Sequence, residues 1–415
     1  MTEQNRRPHE TAEAVARRSY GKLVAFLAAR IRDVAGAEDA LSDAFAAALA
    51  AWPEHGIPDK PEAWLLTVAR RKMLDGVKRR RTVEKAEDHL QLLAELAETE
   101  IETPVIPDNR LSLMFTCAHP AIEPGIRAPL ILQTILGFDA AAIASAFLVS
   151  PATMGQRLVR AKAKIREASI PFRVPDEDEL PERLDAVLAA IYATFSEGWL
   201  DPAGTESRRR NLAEEGLWLG RLTVSLLPEE PEALGLLALM LHAEARRAAR
   251  RDAAGRYVPL AEQNPDAWDN GMIDAAEALL FQASAMGRFG RYQLEAAIQS
   301  AHVVRRMTGR ADWEAIVQLY DALAAVTGSP VVAINRAVAL AEARGPTNGI
   351  AALDTLADDA RLADYQPYWA ARADLLARAG HVPAADEAYE RAIGLEADPA
   401  VRDFLMAKRA ALTRH

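Results

Sequence analysis

Between Pro151 and Ile165 the chain reads PATMGQRLVRAKAKI. Its residue types suit contact with nucleic acid. Thr153, Arg157, Arg160 and Lys164 recur at i, i+4, i+7 and i+11, which is one stripe of an α-helix. Met154, Leu158, Ala161 and Ile165 repeat on a different face, so the spacing predicts an amphipathic helix with a buried side and a cationic side. Side chains such as Gln156, Arg157 and Arg160 can pair bidentately with adenine and guanine edges in a major groove. The competing expectation is a solvated face, which is what most basic helix faces are.

A second cationic cluster is RRKMLDGVKRRR (70–81), with seven basic residues and one acid. Arg70, Arg71, Lys78, Arg79 and Arg80 are its candidate contacts. A helix dipole favours cations only in the last turn, so this density points to phosphate binding, which carries no base specificity by itself. Other chemistry fares worse. Cys117 and His119 in FTCAHP form half of a metal site without a second pair, so a packed helix is expected there and no metal. AMGRFGR (285–291) follows no strand and is not a phosphate loop. His242, His302 and the scattered carboxylates have no hydrolytic or metal spacing. Recognition, not catalysis, is expected, and no cofactor.

The elements that must position these residues read as helices nearly throughout, giving an all-α fold. A first block, 1–81, holds AEDALSDAFAAALAAW (37–52) and EAWLLTVARRKMLDGVKRRR (62–81), whose Leu65, Ala69, Met73 and Val77 form a stripe. Residues 82–109 form an acidic linker, part of which (within EDHLQLLAELAE) can be helical when bound to a partner. A second block, 110–170, has a helix with Ile126, Leu130, Ile131 and Ile135, broken at Gly137. Asp139 is expected to cap a short helix through Leu148. Ser150 and Pro151 then open the basic helix, and two helices joined by so short a turn make a helix-turn-helix pattern. A connector with three prolines, 171–181, leads to a helical-repeat domain, 182–415. There Trp369, Gly380, Ala385, Tyr389 and Ala392 match the tetratricopeptide pattern, with a weaker copy at Gly345, Leu353 and Leu356.

The chain of 415 residues has a net charge of −10 and one cysteine, so it forms no intrachain disulfide, and a reducing cytoplasm fits. The N-terminus is polar and no run of ~20 apolar residues exists, so no membrane association is expected. The acidity is uneven. Residues 1–170 carry a net charge of +1 and the remainder −11, and local basic stripes decide whether a surface meets phosphates. The residues alone leave two alternatives open: a helix-turn-helix regulator that works without polymerase and senses a ligand or protein through its C-terminal domain, and a scaffold with incidental basic helices.

The two basic blocks, in this order and with an acidic linker between them, resemble the extracytoplasmic-function sigma factors of bacterial RNA polymerase. AEDALSDAFAAALAAW resembles their core-polymerase-binding helix through Glu38, Asp39, Asp43 and Phe45. EAWLLTVARRKMLDGVKRRR is similar to the helix that meets the −10 element, through Trp64, Leu65, Ala69, Arg70, Asp75, Arg79 and Arg80. LGFDAAAIASAFLVSPATMGQRLVRAKAKI resembles the −35-reading helix-turn-helix. Later segments, from IPFRVPDEDELP to SPVVAINRAVAL, resemble the C-terminal extension of the subgroup with a tetratricopeptide-like domain. The resemblance implies core polymerase and promoter DNA as partners and a regulatory C-terminal domain. Polar residues of those segments, among them Glu197, Arg246, Gln263, His302, Asn335 and Arg336, are candidates to line a groove for a protein or small molecule, or to satisfy buried backbone groups. Ser196, Ala142 and Arg71 stand where the family usually has Asn, Glu and Asn.

Overall fold

The computed structural model describes residues 3–80, 107–147, 149–176, 178–199, 207–304 and 311–412. Among them the ordered structure is helical, apart from one isolated antiparallel bridge between Arg251 and Tyr257. The chain divides into two compact units, one of residues 1–198 with 207–216 and the other of 199–206 with 217–415.

The first unit opens with α1 (Glu3–Ile31), α2 (Val34–His55) and α3 (Pro61–Arg80), which pack on one another. Asp33 caps α2 by accepting the Gly36 N–H at 3.1 Å, and the alanine-rich face with Leu41 and Trp52 is buried. That face is narrow because alanine is small, so α2 sits close to its neighbours. α2 runs three residues past Trp52, through Pro53, before Gly56 ends it at φ 86°. Leu65, Leu66 and Ala69 bury α3, and Trp64 meets Trp52 edge-on at 5.6 Å.

Then come α4 (Arg110–Cys117), α5 (Pro124–Leu136), α6 (Ala140–Ala146) and α7 (Pro151–Glu167). Gly137 closes α5 in the left-handed region at φ 74°, its N–H bonded to the Gln133 carbonyl at 2.9 Å, as the sequence led one to expect. The acidic segment 81–106, with its conditional helix, and Leu148 lie outside the described residues. Cys117 is fully buried on α4, its Sγ 3.5 Å from the Thr134 hydroxyl, and burial pushes its thiol up to about 12. Among the described residues no group of three metal-ligating side chains is brought together.

After α7 the connector packs down: Thr116 donates to the Pro171 carbonyl at 3.1 Å. α8 (Leu180–Trp199) follows, and Arg183 reaches back to the Phe115 carbonyl at 2.7 Å. α9 (Ser207–Leu226) begins in this unit, where a side chain at Gly216 would strike the Phe195 backbone at 2.8 Å.

In the second unit α10 (Pro231–Ala245) is buried nearly all round, between α11 (Asn270–Ala285) and α12 (Arg291–Val303). Glu232 on α10 accepts from the Tyr292 N–H at 2.9 Å and the Gln293 N–H at 3.2 Å. It thus satisfies free donors at the start of α12. Gly290 makes room, since a Cβ there would lie 2.3 Å from that carboxyl carbon. The chain continues through α13 (Trp313–Thr327), α14 (Pro330–Arg344), α15 (Pro346–Asp354), α16 (Gln366–Arg378), α17 (Val382–Leu395) and α18 (Pro399–Ala411), each packed on the next. Gly345 and Gly380 turn the chain between pairs at φ 95° and 82°. Leu353 and Tyr389 are buried in successive apolar clusters.

Candidate nucleic-acid interface

The site is built on α6, its turn and α7. Asp139 accepts the Ala142 N–H at 2.7 Å and so starts α6. The Val149 N–H returns to the Ala144 carbonyl at 3.0 Å, which tightens the turn. Ser150 then caps α7, accepting the Thr153 N–H at 3.1 Å, with Pro151 in the first turn. The far end closes where Ser169 takes φ 48° and the Ile170 N–H bonds to the Ile165 carbonyl at 3.0 Å.

Met154, Leu158, Ala161 and Ile165 are the buried residues of α7, the four that the periodicity marks. Burying each large one contributes roughly 1.5–3 kcal/mol, which fixes the rotation of the helix about its axis. With that rotation set, Thr153, Gln156, Arg157, Arg160 and Lys164 are all exposed. The Thr153 hydroxyl lies 2.8 Å from that of Ser150, so it is tied to the cap. Val159, which sequence reasoning passed over, is also outward and 68% exposed. An apolar residue beside Gln156 suits the methyl group of thymine.

The other two cations of α7 have a different surrounding. Lys162 pairs with Glu38 of α2, their side chains only 12% and 11% exposed. Arg166 lies 3.8 Å from Asp33. Burial, the largest influence, pushes the Glu38 carboxyl above its ordinary value although Lys162 pulls the other way. Glu38 Oε1 is buried with no hydrogen-bond partner. Of the other candidates on α2, Asp39 and Asp43 are exposed and Phe45 is half-buried. Lys72 is 3.8 Å from Asp43, both largely in solvent, where such a pair contributes little.

The α3 cluster divides as well. Arg70 is 6% exposed and lies over the Phe26 ring, 5.6 Å from its centroid, with Arg30 also over that ring at 4.2 Å. In this arrangement Arg70 braces the bundle and is turned from any phosphate, because the stripe through Leu65 and Ala69 carries it inward. Arg71 is exposed. Lys78, Arg79 and Arg80 fall on the last turn of α3, and their side chains lie outside the described residues, as does that of Glu197.

Of the second-unit candidates, His302 and Asn335 come together on a cavity of about 450 Å³ with Leu260, Trp313, Tyr320 and Glu342. Trp313 meets His302 edge-on at 5.4 Å. Burial pushes the Tyr320 hydroxyl up to about 12. The remaining candidates do structural work. Arg246 is buried, donating to the His242 carbonyl at 3.2 Å and to Gln299. Gln263 donates to the Val258 carbonyl at 3.2 Å. Arg336 pairs with Asp321.

Residues 15–83, which span most of α1 through α3, match the family Sigma-70 region 2. That domain supports a place in a sigma factor family and a role in promoter recognition. Over 365 residues the chain is 39% identical to an uncharacterized protein of Rhizobium meliloti (strain 1021), covering 86% of each, and it belongs to the same family as that protein. Residues 183–284 match a family of unknown function (DUF6596). No solved structure matches the chain. Among the described residues no helix is long and apolar enough to cross a membrane.

Proposed function

We propose that the protein is an extracytoplasmic-function sigma factor with a tetratricopeptide-like regulatory domain. It binds core RNA polymerase through the α2 face with Asp39, Asp43 and Phe45, and Glu38 at its edge. It meets the −10 element with the end of α3, where Arg71 is the exposed candidate and Lys78, Arg79 and Arg80 follow. α6 and α7 act as a helix-turn-helix that reads the −35 element. The observation that carries this reading is the exposure of Gln156, Arg157, Arg160 and Lys164 together on one capped helix, in the same compact unit as the Sigma-70 region 2 domain. Arginine and glutamine in that position read base edges, while lysine contributes phosphate contact.

The helical pairs of the second unit supply the regulatory domain, and the cavity walled by Trp313, Tyr320 and His302 has the size of a small-molecule site. Co-elution with core polymerase tests the first step. Asp39→Arg with Asp43→Arg should abolish co-elution while the circular dichroism spectrum stays that of the parent, since exposed charges add little stability. Unchanged co-elution would refute the role given to α2.

A further inference from the structure

The cavity of about 450 Å³ in the second unit has two chemically different ends. Its long walls are α13 and α14. Arg336 pairs with Asp321 near the turn between them, and Arg344 pairs with Glu314 at 2.9 Å far from that turn, so the two helices run antiparallel. Tyr320 therefore lies level with Asn335, and Trp313 level with Glu342. On α13, Trp313 and Tyr320 are two turns apart on one face, and on α14 Asn335, Val338 and Glu342 form a matching stripe. The two ends are thus about 10 Å apart along either helix.

Both ends have bonding capacity to spare. Among the described residues the Tyr320 hydroxyl and the Asn335 side-chain amide have no hydrogen-bond partner. Burial, with the Glu295 carboxylate adding to it, pushes the Tyr320 hydroxyl up to about 12, so it stays protonated at neutral pH and can both donate and accept. At the other end Arg378 holds Oε1 of Glu342, while Oε2 has no partner among the described residues. Glu342 is the one carboxylate on the wall, and among the described residues no lysine or arginine lines it. The Trp313 indole stands at the same end, with His302 edge-on to it at 5.4 Å. An indole face attracts cations. Between the ends the wall is apolar, with Val338 at its centre.

We infer that this cavity binds a small organic amine, with its ammonium at the Trp313–Glu342 end, an apolar body over Val338, and a hydroxyl or carbonyl group at the Tyr320–Asn335 end. The inference deepens the reading of the second unit as a regulatory domain and rests on it for its biological meaning, though not for the binding itself. Charge sets the orientation. The ammonium meets the indole face and the open carboxylate oxygen of Glu342 together, and desolvation in a cavity strengthens both attractions. An anion there would face Glu342 with no described cation on the wall to offset it. Residues 171–415 carry a net charge of −11, which raises the local concentration of cations and lowers that of anions. Tyr320 and Asn335 then select among amines, because an amine that reaches them without a polar group leaves both unpaired. The volume suits a molecule of this kind and is too small for a folded segment of protein.

The test titrates the full chain by calorimetry with three probes that share a phenol and a two-carbon arm and differ in the charge of the head: tyramine, tyrosol and 4-hydroxyphenylacetate. Tyramine should bind roughly tenfold or more tightly than tyrosol, and the acid should not bind. Glu342→Gln should weaken tyramine by roughly tenfold and leave tyrosol unchanged. Phenethylamine, which lacks the hydroxyl, should bind the parent about two- to tenfold less tightly than tyramine, a difference that Tyr320→Phe should remove. Circular dichroism checks that both variants fold, and Tyr320→Phe keeps the ring should Glu342→Gln disturb the Arg378 pairing. Tighter binding of the acid than of the amine, equal binding of all three probes, or no binding of tyramine at millimolar concentration would overturn the site. Transcription in vitro with core polymerase, with and without tyramine, separates the site from the reading it deepens. Amine binding with transcription unaltered would uphold the site and count against the regulatory reading. Promoter-specific transcription by a chain that binds no amine would overturn the site alone.

Discussion

Gly21→Ala is the sharpest test of how the first unit is packed. The added methyl would fall 2.1 Å from the Ile135 carbonyl oxygen, 2.8 Å from its carbon and 2.9 Å from the Ile135 Cα. All three are backbone atoms, so no rotamer relieves the clash. α1 and α5 must separate by about 1 Å to restore ordinary contact, and overpacking of that kind costs about 1–3 kcal/mol. Alanine returns up to about 1 kcal/mol of helix propensity over glycine. The net expectation is a loss of about 1–2 kcal/mol, or a Tm lower by about 2–8 °C for a unit of this size. Gly155→Ala is the internal control: it lies in α7 with nothing within 4 Å of where its methyl would fall, and should raise stability by about 0.5–1 kcal/mol. Thermal unfolding followed by circular dichroism measures both. If the two variants behaved alike, the close approach of α1 and α5 would be wrong.

Arg157→Ala and Arg160→Ala should each cost about 1–3 kcal/mol of promoter affinity and relax preference at one base position, whereas Lys164→Ala should weaken all promoter variants evenly and flatten the salt dependence; identical profiles for all three would refute the division. Ser150→Ala removes the α7 cap and should cost about 0.5–2 kcal/mol in urea unfolding, with no loss if the cap is incidental. The Cys117 thiol, pushed up to about 12, should react with iodoacetamide at pH 8 at least about a hundredfold more slowly in the native protein than in urea, since the thiolate is the nucleophile. Native reactivity equal to the denatured rate would show that α4 does not bury it.

Much of the site was legible because its signals are local. Ser150, Pro151 and Asp139 announce helix starts through their own backbone preferences, Gly137 announces a stop, and Met154, Leu158, Ala161 and Ile165 set the rotation of α7 by period alone. What escaped notice depends on long-range contact. Arg70 reads as one more cation of its cluster, yet the Leu65–Ala69 stripe carries it inward onto Phe26, a residue 44 positions earlier. Lys162 reads as one of five basic residues between 157 and 166, yet its partner Glu38 is 124 positions away. Arg246, Gln263 and Arg336 look like groove residues by type, but each meets a carbonyl, an amide or a carboxylate of its own unit. The cavity at Trp313 draws residues from α12, α13, α14 and the turn at Leu260, and no single segment carries its signature.

The central claim, that this chain directs polymerase to promoters, is tested most directly by transcription in vitro with purified core RNA polymerase on genomic DNA, followed by mapping of start sites. The sigma-factor reading predicts discrete start sites that share sequence near −35 and −10, absent without the protein and lost when Arg157 and Arg160 are both replaced by Ala. Start sites that are unchanged with and without the protein, or specific promoter binding that needs no polymerase and survives those replacements, would contradict it.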